Sequence, residues 1–215
     1  MFFDIPKDVK YVYNIGLDDH AALATRNDRR IYLTSLIRTA WDDDDFSDIS
    51  ICTKIVDDIM DYNRYDEEHQ IPVDERTPIR LYINCPGGDQ SEGFSAISAI
   101  KLSKTPVYTI NIGRWCSMGF LIGIAGRKRF SLPYMTFLMH DGFNSGFDSG
   151  SKLQDKVEFD KRFENEVVKT HVLNHSKMSS EEYDALVRVE YYMLPEDALR
   201  QGFIDEIVTD ITSTL

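Results

Sequence analysis

The chain has 215 residues, 42% hydrophobic and 28% charged, with a formal net charge of −12. That length and balance describe one domain that can bury a full core without disulfides or a structural metal, and they exclude disordered and fibrous classes. The acidity argues against a nucleic-acid or anionic-membrane partner, since both need a concentrated basic face.

Residues 1–28 are weakly periodic and read as an N-terminal arm. Met1-Phe2-Phe3-Asp4 shows no basic stretch followed by an apolar one, so no secretory signal is expected. Arg30-Ile31-Tyr32-Leu33-Thr34 is β-prone and predicts the first strand. Asp42 to Asp45 form an acidic block, read as a solvated loop feeding the positive end of the next helix. From Asp48 to Tyr62, Cys52, Ile55, Val56, Ile59 and Met60 fall at helical spacing. The charged run Asn63 to Thr77, with Pro72, predicts an exposed loop.

Ile79 to Asn84 is a second strand, stopped by Pro86-Gly87-Gly88, where glycine permits positive φ and close approach of a ligand. Ser91 to Leu102 follows as a helix, Val107 to Ile112 as a strand, and Ser117 to Ala125 as a small, apolar, buried helix. Arg129 to Leu132 and Met135 to Met139 are further strands, and Phe143 to Ser151 a Gly/Ser-rich segment. Lys152 to Leu173 predicts a long helix with Leu153, Val157, Phe163, Val167 and Val168 as candidate buried positions. Ser179-Ser180-Glu181-Glu182 marks a helix start, Pro195 to Gln201 a short helix closed by Gly202, and Phe203 to Val208 a last strand. Strands alternating with helices predict an α/β domain with mostly parallel pairing.

Cys52, Cys85 and Cys116 are scattered, with no CxxC pair and no zinc spacing, so they read as reduced, intracellular thiols and no metal is expected. The most apolar window, Trp115 to Gly126, is too short to span a bilayer. Asn174-His175-Ser176 matches a glycosylation acceptor, a chance match in an intracellular chain.

Three segments carry chemistry together. Asn84-Cys85-Pro86-Gly87-Gly88 offers a turn with exposed amides, Cys116-Ser117-Met118-Gly119 a hydroxyl at the start of an apolar helix, and Met139-His140 an imidazole at a strand end. Singly, Ser117 is an N-cap serine, His140 a satisfied histidine and the glycine pair a turn. Jointly they supply a nucleophile, a base and donors for an oxyanion. A third member should be a carboxylate that fixes the imidazole tautomer, and spacing alone does not choose among Asp141, Asp148, Asp155, Asp184 and Glu190.

As an ordered set from about Arg29 to Asp210, these segments resemble the ClpP family, the proteolytic subunit of the Clp protease. The resemblance is carried also by Arg30 to Thr34, by Arg129-Phe130-Ser131-Leu132-Pro133, and by Asp197-Ala198 through Gly202-Phe203-Ile204-Asp205-Glu206-Ile207. It implies a ClpP/crotonase-like α/β fold with mostly parallel β-sheets, flanking helices and a protruding handle over about 143–173, all in one domain over 1–215. It implies Ser117 as nucleophile, His140 as general base and Glu190 where the family usually has aspartate, with the backbone N–H groups of Gly88 and Met118 as oxyanion hole. It further implies a cytoplasmic, cofactor-free endopeptidase of two stacked seven-subunit rings, fed unfolded polypeptide by a Clp-type ATPase. Asp141-Gly142 after the histidine, Asp89-Gln90 after the glycines and Arg114-Trp115-Cys116 before the serine depart from the family pattern. Two other readings follow: a catalytically weak ring subunit assembling with an active paralogue, and an acyl-CoA enzyme of the crotonase type.

Overall fold

In the computed structural model, residues 28–39, 49–142 and 149–214 are described. The N-terminal arm, the acidic block and most of the Gly/Ser-rich segment lie outside them.

Alternating burial along short runs of branched and aromatic residues produces the strands. They are β1 (Arg30–Leu33), β2 (Ile79–Cys85), β3 (Val107–Cys116), β4 (Lys128–Ser131), β5 (Thr136–Met139), β6 (Tyr191–Met193) and β7 (Glu206–Ile207). They form a single sheet of order β1-β2-β3-β4-β7, with β5 pairing β3 and β6. Every pairing is parallel except β5 with β6. The mostly parallel α/β architecture expected from the sequence is present.

β3 is longer than the sequence pattern predicts, because it serves two neighbours in turn. Tyr108 to Asn111 pair β4, and Arg114 to Cys116 pair β5. Gly113 continues the strand instead of turning; its N–H donates to Asn111 Oδ1. β6 was invisible in the sequence, and the final strand shrinks to two residues.

The first helix, α1 (Ile51–Glu68), is capped by Ser50 and runs six residues beyond Tyr62, into the segment expected to be loop. Asp66 explains the extension. It is fully buried and takes Arg29 through both oxygens, at 2.5 and 2.8 Å, with Thr105 Oγ1 donating at 2.6 Å. A buried carboxylate is tolerable only when paired and hydrogen-bonded in this way. α2 (Gln90–Leu102) and α3 (Met118–Ile124) pack with α1 against the sheet.

The handle begins as α4 (Gly150–Phe163), passes through a π-helical turn at Glu164–Val168 and continues as α5 (Lys169–Asn174). Of the five positions expected to be buried there, only Val168 is, joined by Val172. Val157 is 49% exposed, and α4 fully buries none of its residues. α6 (Ser180–Leu186) starts with a full capping box between Ser179 and Glu182, and α7 (Pro195–Gln201) ends at Gly202 in the left-handed conformation, both as the sequence indicated.

Candidate active site

Ser117 occupies the corner between β3 and α3. Its backbone, at φ 53° and ψ −125°, is in a region a side-chain-bearing residue visits rarely. The surroundings hold it there: its N–H donates to Leu138 O at 3.0 Å, and its carbonyl accepts from Phe120 and Leu121 at 3.0 and 3.2 Å. A strained strand-to-helix corner of this kind presents a serine hydroxyl outward. The hydroxyl makes no capping bond, so the N-cap explanation of this serine fails.

The β3–β5 register brings His140 close. Cys116 pairs with Leu138, so the next step sets Ser117 beside Met139, with His140 one residue further. The β5–β6 pairing bears on the candidate acid Glu190. Phe137, Leu138 and Met139 face Met193, Tyr192 and Tyr191, and the pairing ends there, with His140 and Glu190 the next residues beyond it on the two strands. Residues directly opposite share a face. On one face lie the buried Trp115, Phe137 and Met193; on the other lie Cys116, Leu138 and Tyr192. Among the described residues, neither the Ser117 hydroxyl nor the His140 ring forms a hydrogen bond. Glu190 is exposed and accepts from Tyr192 Oη at 3.1 Å, which holds the phenol above its ordinary pKa.

Glycine is obligatory at the turn. A Cβ on Gly87 (φ 115°) would sit 2.6 Å from Ser117 Cβ, and one on Gly88 (φ 135°) 2.0 Å from Ile37 O. Ile37 clamps this turn, donating to Gly87 O and accepting from Asp89 N–H, each at 2.9 Å. Gly87 N–H is spent on Cys85 Sγ at 3.3 Å. The N–H groups of Gly88 and Met118 find no acceptor among the described residues and are available to an oxyanion.

Serine is the better nucleophile of the adjacent pair Cys116-Ser117. Burial pushes the Cys116 thiol up, with Arg114 opposing, so it remains a thiol at neutral pH. Cys85 is pushed up to about 11 by burial. Of the other acids, Asp184 is paired with Lys169 Nζ at 2.6 and 2.7 Å, Asp155 is on the exposed handle and Asp148 is outside the described residues. Asp141 N–H donates to Val187 O at 2.7 Å beside His140. The described residues contain no cluster of metal-ligating side chains.

A family model described as Clp protease matches residues 70–210. The chain belongs to the Clp protease family. The match begins after β1, so the likeness read at Arg30 to Thr34 lies outside it. Curated Clp relatives named "ATP-dependent Clp protease proteolytic subunit" include one from Deinococcus radiodurans, 31% identical over 60% of this chain and 64% of its own length. Another, from Streptococcus sanguinis, is 34% identical over 63% of this chain and 70% of its own. "ATP-dependent Clp protease proteolytic subunit 2" of Prochlorococcus marinus is 30% identical over 63% of this chain and 69% of its own.

Three contributors escaped the sequence reading. Ile37 as clamp, Tyr192 as partner of Glu190 and Leu138 as anchor of Ser117 act through main-chain pairing or through β6, which leave no motif. For Tyr192 a signal did exist, since it stands two residues after the candidate acid, on the same strand face.

Proposed function

We propose that this chain is the proteolytic subunit of an ATP-dependent Clp protease, a serine endopeptidase using Ser117, His140 and Glu190. The observation that supports this reading is the strained Ser117 corner at the end of β3, with His140 directly after β5 and Glu190 directly before β6, the next strands across the sheet. The names of the relatives support it.

In this mechanism His140 takes the Ser117 proton as the hydroxyl attacks a peptide carbonyl, and Glu190 stabilises the imidazolium. The N–H groups of Gly88 and Met118 hold the tetrahedral oxyanion, each donor contributing about 3 kcal/mol. His140 then protonates the leaving amine, and water resolves the acyl-enzyme by the reverse path. Since Ile37 covers one edge of the Gly87-Gly88 turn, an extended substrate pairs along the other as an added strand.

The partners follow the same reading: unfolded polypeptide as substrate, a Clp-type ATPase as its source, and stacked seven-subunit rings of this chain in the cytoplasm. Gly150–Asn174 forms the inter-ring handle. One observation favours a second reading, the catalytically weak ring subunit: Ser117 and His140 are not hydrogen-bonded, and Glu190 is engaged by Tyr192. Labelling the intact oligomer with a fluorophosphonate decides between them. The protease reading expects Ser117 to be labelled and Ser117→Ala to lose both label and peptide hydrolysis; an unlabelled intact oligomer overturns it.

A further inference from the structure

Far from Ser117, at the opening end of β3, lies a cavity of about 670 Å³ lined by Lys101, Arg127, Arg129, His175, Lys177 and Asp205. β3 spans the distance between the two, Val107 beside the cavity and Cys116 beside the serine, a run of about 30 Å at strand rise.

The charge of this cavity is opposite to that of the molecule. The chain carries 36 acidic and 24 basic residues, yet four cations and one carboxylate line the hollow. The carboxylate is already used: Asp205 takes Arg129 through both oxygens, at 2.6 and 3.0 Å. Lys101 has no carboxylate partner among the described residues; its Nζ lies 2.9 Å from the edge nitrogen Nε2 of His175. His175 Nδ1 lies 2.6 Å from His171 O, so this nitrogen carries the proton and Nε2 accepts from the lysine. Arg127 and Lys177 are exposed and form no ion pair or side-chain hydrogen bond among the described residues. Three uncompensated cations gathered at one concavity repel one another, and an anion between them relieves that repulsion.

The wall is rigid. Arg129 Nη1 donates to His175 O at 2.7 Å and to Gly202 O at 2.9 Å, and Lys177 N–H donates to Gln201 O at 2.7 Å. These bonds tie the end of α5, the turn after α7 and β4 together, so the backbone that carries Lys177 and Arg127 is fixed before a ligand arrives. The volume is in the range of small-molecule sites and exceeds what one phosphate fills, and Val107 and Ile204 add an apolar part to the lining.

We propose that this cavity binds a phosphate-bearing small molecule of nucleotide size, its phosphates held by Lys101, Arg127 and Lys177. Calorimetry on the full chain in its native assembly tests this, with inorganic phosphate, pyrophosphate and ADP as probes in sulfate-free buffer. Pyrophosphate is expected to bind more tightly than phosphate. ADP binding more tightly still assigns the apolar part to a base, and ADP equal to pyrophosphate assigns recognition to the diphosphate alone; both support the site. Arg127→Gln with Lys177→Gln is expected to weaken pyrophosphate at least about tenfold, the scale of a lost charge-assisted hydrogen bond. The charge-keeping pair Arg127→Lys with Lys177→Arg retains binding and controls for folding. Ser117→Ala binds unchanged, which separates this proposal from the protease reading. No heat with any probe at millimolar concentration, or unaltered affinity in the double glutamine variant, overturns it.

Discussion

Gly87→Ala tests the site through a single methyl group. The added Cβ would lie 2.6 Å from Ser117 Cβ and 3.1 Å from both Ser117 Oγ and Cys116 O. Carbon atoms rest about 3.5–4.0 Å apart, so Ser117 must retreat by about 1 Å. A displacement of that size at a reacting atom costs about a hundredfold in rate. The alanine must also hold φ 115°, a strain of about 1–3 kcal/mol. In a domain of this size that lowers the melting temperature by a few degrees to about ten. The assay is the rate of fluorophosphonate labelling alongside a thermal melt, with Gly150→Ala as control, since a Cβ there meets nothing within 4 Å. Labelling should fall about a hundredfold while the fold persists at room temperature. A variant that melts early yet labels at the wild-type rate would refute the claim that Gly87 sets the serine's position.

Three further outcomes are expected. Glu190→Gln should lower kcat by about 10³–10⁴, the scale seen when a triad carboxylate becomes an amide, whereas Tyr192→Phe costs only a few-fold; if Asp141→Asn carries the loss instead, the register argument for Glu190 is wrong. Asp66→Ala leaves the buried Arg29 without its partner and should destabilise the protein by about 3–5 kcal/mol in chemical denaturation, a smaller loss contradicting the packing described. His171, lowered by burial to about 4 from 6.5, stays neutral in the fold while the unfolded chain takes up a proton, so stability is lost as pH drops from 6.5 to 4, by about 3 kcal/mol in all; the stability of His171→Gln across that window should vary correspondingly less.

The features legible in the sequence are those written in adjacent residues. The Ser179 capping box, the Gly202 helix end and the Gly87-Gly88 turn each depend on a few neighbouring side chains or on missing ones, and all three occur where expected. Ser117 and His140 were singled out by their neighbours, an apolar helix following the one and a Met/Leu/Phe strand ending at the other. A candidate acid was harder to single out, since Glu190 comes next to β5 only through β6, three residues that become a strand by pairing with β5. Asp66 and Arg64 read as surface charges in a local window; only Arg29, 37 positions away in sequence, makes Asp66 an interior residue and lengthens α1. Leu153 and Val157 kept helical spacing, yet spacing cannot say whether anything packs against a helix; α4 fully buries none of its residues, and its last one, Phe163, meets Phe94 edge-on with ring centroids 5.2 Å apart.

The π-helical turn at Glu164–Val168 sets the rotational phase of everything after it. At its end Val168 is buried; beyond it Val172 is buried too, and His171 Nε2 reaches Leu121 O at 2.9 Å, on the same short helix that Ser117 opens. Removing one residue from that turn would swing each downstream side chain by about 100° around the axis. The handle would keep its length within 2 Å while its lower end lost the contact with the serine's helix, so this turn works as an angular setting between the projecting arm and the body.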